Sequence, residues 1–238
     1  FAHIYNVRIY VALNVILRDE ELEEVRQLVE QLYSIGVDAL IIQDMALLEM
    51  DLPPIPLHAS TQMDNRTIEK VAFLSKVGFE QVVLARELSL VEINGIHDAC
   101  PQVSLEAFVH GALCVSYSGQ CYASEVCFGR SANRGECAQF CRLAFDMVDA
   151  DGKLIRRSKH LLSLKDMNRS ERLEAMLDAG ISSLKIEGRL KDVSYVKNVT
   201  AYYRQQLDSI FLRRPEYSRT SSGSSTYSFH PQLEKSFN

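Results

Sequence analysis

Five of the six cysteines fall in one stretch: Cys114, Cys121, Cys127, Cys137 and Cys141. Four of them give the spacing Cys-x6-Cys-x15-Cys-x3-Cys, through Cys114, Cys121, Cys137 and Cys141. Thiolates are soft ligands, and four from one segment suit a tetrahedral sulfur site, meaning zinc or an iron–sulfur cluster. The spacing is not the pair of Cys-x2-Cys knuckles of structural zinc. Nor is it either common ferredoxin pattern. By spacing alone, a metal site, disulfides and unligated thiols all stay open. Cys100, before Pro101, lies outside the pattern and reads as a core or surface thiol. Cys127 is inside the stretch but outside the four.

Something must carry these thiols. Leu105, Ala107, Phe108 and Val109 are apolar and β-like, whereas 111–142 are rich in Gly and Ser with scattered Asn and Arg. A strand therefore delivers the chain to a long loop. Long loops in compact domains are functional or disordered, and cysteine is too rarely exposed for this density to suit disorder.

The rest of the chain alternates strand and helix. Strands are expected at 8–14, 39–43, 57–60, 81–85, 103–109 and 183–187. Helices are expected at 20–35 behind an Asp19 cap, at 45–50, from Asn65 or Asp64 to Lys76, at 89–99 behind the Ser89/Glu92 capping box, at 170–179 and at 194–212. Residues 145–155 alternate around Asp151-Gly152, a hairpin signal, and 161–164 form a further short β element. Repeated βα units argue for a parallel sheet. No Gly-x-Gly-x-x-Gly turn or P-loop marks a nucleotide fold. From Pro215 the Ser/Thr/Gly-rich tail reads as extended or poorly ordered.

In a parallel barrel the chemistry lies at the strands' C-terminal ends. Here those ends carry Asn14, Gln43, Asp44, Ser60, Gln62, Arg86, His110, Glu187 and Arg189. The candidate catalytic residues are His58, Glu106, His110, Glu187 and Arg189. His58, within a strand, is equally an interior hydrogen-bonded histidine. Glu106 stands among apolar neighbours and needs a partner, with Arg86 or Arg189 expected. Gly111 after His110 permits close backbone approach.

EAFVHGALCVSYSGQCYAS at 106–124, GRSANRGECAQFCR at 129–142 and SLKIEGR at 183–189 together resemble the collagenase-like U-32 peptidase family. LHASTQ at 57–62, VVLARELSL at 82–90 and the segment 214–238 extend the resemblance over nearly the whole chain. The resemblance implies a (β/α)8, TIM-barrel-like α/β fold, incomplete here, with two barrel strands before Phe1. On that reading 1–212 is a partial barrel with cysteine loop 111–142 and hairpin insertion 145–164, and 213–238 is a linker toward a further C-terminal region. Phe1 in place of Met fits a piece of a longer protein. Unpaired barrel edges, among them strand 8–14, offer a route to a homo-oligomer.

The resemblance also implies ligands and chemistry. Cys114, Cys121, Cys137 and Cys141 correspond to the family's iron–sulfur ligands, a 4Fe-4S cluster, with zinc as the alternative. Members take part in oxygen-independent hydroxylation of RNA bases or of a quinone precursor, with prephenate implicated as a co-substrate for RNA. The tail FHPQLEKSFN resembles most the branch acting on a ribosomal RNA cytidine. The family's peptidase label finds little to support it: there is no His-Glu-x-x-His helix and no Gly-x-Ser-x-Gly elbow. A Cys114–His110 dyad is the only sketch available. A metal-stabilised RNA-binding module without catalysis is a third reading.

Composition agrees with a globular domain. The 238 residues are 47% hydrophobic, with a formal charge of −5. No run of about 18 apolar residues suggests a membrane span, and six cysteines are too few for a disulfide scaffold. A reducing cytoplasm is expected. Between Gly129 and Lys165, eight Lys/Arg face four acids. Arg130, Arg134, Arg142, Arg156 and Arg157 are the candidate contacts to ribosomal or transfer RNA; the plainer reading is a solvated loop.

Overall fold

The computed structural model describes residues 1–236. Its centre is a mostly parallel sheet. Strands β1 (Tyr10–Leu13), β2 (Ala39–Ile42), β3 (Leu57–Ala59), β4 (Gln81–Val83) and β5 (Ser104–Gly111) lie side by side in chain order, all parallel. Helices α1 (Leu22–Ser34), α2 (Ala46–Glu49), α3 (Ile68–Lys76) and α4 (Leu90–Ala99) fill the crossovers. The cysteine loop follows β5 and holds a short helix, α5 (Ala123–Phe128), absent from the sequence expectation. A separate antiparallel hairpin comes next, β6 (Phe145–Val148) with β7 (Leu154–Lys159), as the Asp151-Gly152 turn predicts. Then come β8 (Met167–Asn168), α6 (Leu173–Asp178), β9 (Ile181–Glu187) and α7 (Val193–Arg213). β9 adds to β5 in parallel, and β8 caps the end of β5 antiparallel. No strand forms at 161–164; the added pairing is β8 instead.

The sheet is open. Among the described residues β1 pairs only with β2, and β9 only with β5. Among the described residues no closed barrel forms, and the 8–14 segment is an edge, as expected. The sheet nonetheless curls, because Asn14 beyond β1 and Lys185 on β9 border the same cavity.

Period-two alternation explains the layering. On β5, Leu105, Ala107 and Val109 face the helices, where they join Val71, Leu74, Ile93, Ile96, Val199 and Tyr203 in the core. Each such buried Val, Leu or Ile side chain stabilises the fold by about 1.5–3 kcal/mol. Glu106 and Phe108 face the concave side. The pairing with β9 slips between Phe108 and His110. That bulge inserts one residue and reverses the alternation. His110 therefore turns to α7, while Lys185 and Glu187 of β9 stay on the concave side. Gly111 is required at this turn. Its φ is +113°, and a Cβ there would stand 2.3 Å from the Glu187 carbonyl oxygen.

Two helix starts differ from expectation. Asp19 opens a 3-10 turn preceded by Arg18, and α1 begins only at Leu22. Asp64 is left-handed at φ 60°, and the Asn65 amide is spent on the carbonyls of Ser60 and Val83, at 2.9 Å each. Thr67 caps α3 instead. The Ser89/Glu92 capping box forms as read. The tail has no regular element before Leu233, yet it is tied down. Ser222 N donates to Tyr5 O, Asn6 Nδ2 donates to Thr220 O, and Leu233 is buried. No described helix is long and apolar enough to cross a membrane.

Candidate functional site

The cysteine loop lies over the C-terminal ends of the strands and encloses a cavity of about 550 Å³. Several ties hold it there. Ser118 sits left-handed and buried; its N–H donates to Glu87 Oε1 at 2.6 Å and its hydroxyl to Asp64 Oδ1 at 3.0 Å. Gln120 Nε2 donates to Gln62 O. Ile16 N donates to Asn133 O. Arg134 makes a two-pronged ion pair with Glu21, at 2.5 and 3.0 Å. The loop thus leaves β5 and is anchored near the ends of β1, β3 and β4.

Cys114, Cys121, Cys137 and Cys141 all border the cavity; Cys100 and Cys127 do not. Burial pushes the Cys141 thiol above its usual range. Cys114, Cys137 and Cys121 add to that rise, so all three lie within electrostatic reach of it. Cys100 is buried in the core and its thiol is likewise raised by burial. All six are free thiols. Ser116 N donates to Cys114 Sγ at 3.4 Å, and Ser124 Oγ reaches Cys137 Sγ at 4.0 Å. Such donors tune sulfur ligands. The donor set fits a sulfur-ligated group in type and place. Among the described residues, however, no three His, Cys, Asp or Glu side chains are gathered closely enough to hold a metal ion as they stand. A single zinc, with Zn–S of about 2.3 Å, needs its thiolates packed round one point.

Charged groups form the cavity floor. Arg86, beyond β4, lies with its guanidinium carbon 3.8 Å from the Phe108 ring centroid. Its Nη2 is 3.4 Å from Glu187 Oε2, and its Nε is buried without a partner. Burial lowers the Arg86 pKa, while Glu187 and Cys114 oppose that. Glu187 Oε1 accepts the Arg189 N–H at 3.0 Å, and Arg189 Nη2 donates to Gly135 O at 3.0 Å, reaching the loop. Glu187 and Arg189 therefore stand where strand-end reasoning puts them.

Glu106 does not pair with Arg86 or Arg189. Its partner is Lys185, with Nζ 2.9 Å from Oε1. Gln81 Nε2 and Ser183 Oγ donate to Oε2 at 2.8 and 2.7 Å. The parallel register explains this, since Glu106 lies opposite Ser183 and Lys185 follows two residues later on the same face. Lys185 borders the cavity, and the sequence reading missed it. Its signal was the alternation Ser183, Lys185, Glu187 on one strand.

The two histidines stand outside the cavity lining. His58 is buried edge-on to Tyr10, with ring centroids 4.6 Å apart and Nδ1 unpartnered. His110 Nδ1 is 3.2 Å from the Tyr203 hydroxyl, which itself donates to Val109 O. Burial lowers both histidine pKa values. The unfolded chain then binds more protons than the native one once pH falls below about 6.5. Stability is expected to decline as pH drops from about 6.5 toward 5. His58→Phe should decline less over that range in thermal melts; parallel curves would refute the point.

Of the basic candidates, Arg134 is held by Glu21. Arg142 staples the loop to the hairpin through Leu113 O, Leu164 O and Ser163 Oγ. Neither guanidinium is free for phosphate. Arg130, Arg156 and Arg157 are exposed and form no ion pair among the described residues. Around Arg156 and Arg157 the hairpin exposes Met147, Val148, Leu154 and Ile155.

Known proteins give this geometry a family. The chain is 56% identical over 237 residues to the 23S rRNA 5-hydroxycytidine C2501 synthase of Escherichia coli, covering 100% of this chain and 36% of that protein. It is 34% identical to the tRNA hydroxylation protein P1 of Bacillus subtilis, covering 88% of this chain and 51% of that one. It is 32% identical to a collagenase of Porphyromonas gingivalis, covering 85% and 52%. The chain thus spans about a third to a half of the length of these relatives. The model of peptidase family U32 matches residues 1–238, and the chain belongs to that family.

Proposed function

We propose that the protein takes part in hydroxylating a base of ribosomal or transfer RNA, with an iron–sulfur cluster held by Cys114, Cys121, Cys137 and Cys141. The observation that carries this is the shared cavity: all four thiols border it together with Arg86, Lys185, Glu187 and Arg189. The relatives named for RNA hydroxylation support the substrate class. When bound, a cluster would supply electron transfer. The chain's own residues would do the rest. Arg189 and Glu187 fix the loop against β9, and the Lys185 ammonium is held in place by Glu106. Prephenate remains the co-substrate that the family resemblance suggests, and zinc the alternative to the cluster. We read the curled sheet as part of a (β/α)8 barrel and place the protein in the cytoplasm, with the ribosomal and transfer RNA on which its relatives are named to act. Peptide hydrolysis has weaker support, because His110 packs on Tyr203 and lies outside the cavity that Cys114 borders.

Nucleoside mass spectrometry of RNA incubated with the whole, anaerobically purified protein tests the reading directly. Unmodified RNA under reducing, substrate-replete conditions would defeat it. The exposed hairpin arginines give a second measure. Arg156→Ala with Arg157→Ala is expected to weaken RNA binding on all sequences. It should also flatten the salt dependence by about one unit of log–log slope per lost phosphate contact. An unchanged slope would mark the hairpin as a solvated insertion.

A further inference from the structure

We propose that one end of the cavity is a base-reading subsite, in which an unstacked pyrimidine lies on Arg86 and is read along its Watson–Crick edge by Asn14 and Gln62. This rests on the RNA reading above. An enzyme acting on a base must take it out of the stack, and unstacked bases are held by aromatic or guanidinium planes. The floor offers such a plane. Arg86 covers the Phe108 ring at 3.8 Å, and only 14% of its side chain is exposed. Among the described residues its Nε has no partner, and its contact with Glu187, at 3.4 Å, is long. A guanidinium this buried and this lightly used is poorly explained as a structural ion pair.

The reading edge comes from the β1 and β3 ends. Asn14 Nδ2 donates to Gln62 Oε1 at 2.5 Å and to Ser60 Oγ at 3.4 Å, and all three residues border the cavity. That bond consumes one amide N–H and one carbonyl. Among the described residues it leaves the Gln62 amide N–H groups and the Asn14 carbonyl without protein partners. Reversing both amides leaves the same complement, one donor beside one acceptor. A pyrimidine presents the matching pair: in cytosine N3 accepts and the N4 amino group donates; in uracil N3–H donates and O4 accepts. Held by that edge, the base keeps C5, the carbon a base hydroxylase would attack, turned away from the amides. The cysteines border the same cavity, and Cys114 lies within electrostatic reach of Arg86.

The test uses the whole protein and short single-stranded RNAs carrying cytosine, or N4,N4-dimethylcytosine, at the modified position. Wild-type protein is expected to prefer cytosine by about tenfold, the discrimination a two-point base contact gives. Gln62→Leu should bring that preference close to unity. Arg86→Lys keeps the charge beside Glu187 but loses the plane. It should weaken binding of the cytosine RNA at least about fivefold, as loss of a stacking contact does. Circular dichroism and melting confirm that each variant is folded, and the conservative lysine guards against simple misfolding. If Arg86→Lys binds like wild type, or if wild-type protein does not distinguish the two RNAs, the subsite is refuted even while RNA is still modified. If wild-type protein modifies no RNA, the functional reading itself fails, and the subsite falls with it.

Discussion

Alanine in place of Cys137 is expected to strip the anaerobically purified protein of iron and acid-labile sulfide, and to end nucleoside hydroxylation while RNA binding persists. Cys137 borders the cavity with Cys114, Cys121 and Cys141, and Cys141 feels the other three thiols electrostatically. Losing a group that merely supports a metal ligand typically costs about 10–100-fold in metal affinity. Losing a ligand should cost more. Binding should survive, because phosphate contacts position a nucleic acid strand independently of the chemistry done on its base. Cys127→Ala and Cys100→Ala supply the contrast. Cys127 is exposed away from the cavity and Cys100 is packed in the core, so both variants should keep wild-type iron. Metal analysis, sulfide analysis and the absorption spectrum report this without any turnover assay. Retention of full iron by Cys137→Ala would mean that the four-cysteine reading is wrong. Loss of iron from Cys127→Ala would mean that the wrong four were chosen.

The sheet was legible because its strands are short, apolar and separated by amphipathic helices. Six parallel strands stand where hydrophobic runs and Gly stops put them. What escaped was set by tertiary geometry. The bulge beside Val109 turns His110 outward to Tyr203, and nothing in the local sequence announces an inserted residue. Asn65 looks like a helix cap by type, yet its amide is taken by two strand carbonyls. The basic segment around the loop counted as one surplus in sequence. In space it divides, with Arg134 and Arg142 spent on holding the loop and Arg130, Arg156 and Arg157 exposed and, among the described residues, without an ion pair. Glu106, flanked by apolar residues, marks itself in the sequence as a buried acid in need of a cation, and Lys185 supplies it. The choice of cation depended on the register of β9, which sequence does not disclose.

That ion pair carries the second large effect. Lys185→Met is expected to destabilise the protein by about 3–5 kcal/mol, the usual cost of removing one partner of a buried pair. The reason is asymmetry of burial. Glu106 has 6% of its side chain exposed and Lys185 has 29%. Without Lys185 the carboxylate keeps only two neutral donors, Gln81 and Ser183. Without the carboxylate the lysine can turn toward the cavity, so Glu106→Gln should cost clearly less. For a chain of this length, about 3–5 kcal/mol corresponds to a fall in Tm on the order of 10 °C. The double variant Lys185→Met, Glu106→Gln separates charge from packing. It should be more stable than Lys185→Met alone, since it removes the stranded charge. Thermal melts of the four proteins measure the coupling. Additive single effects would show that Lys185 contributes by filling space and that the buried carboxylate is satisfied without it.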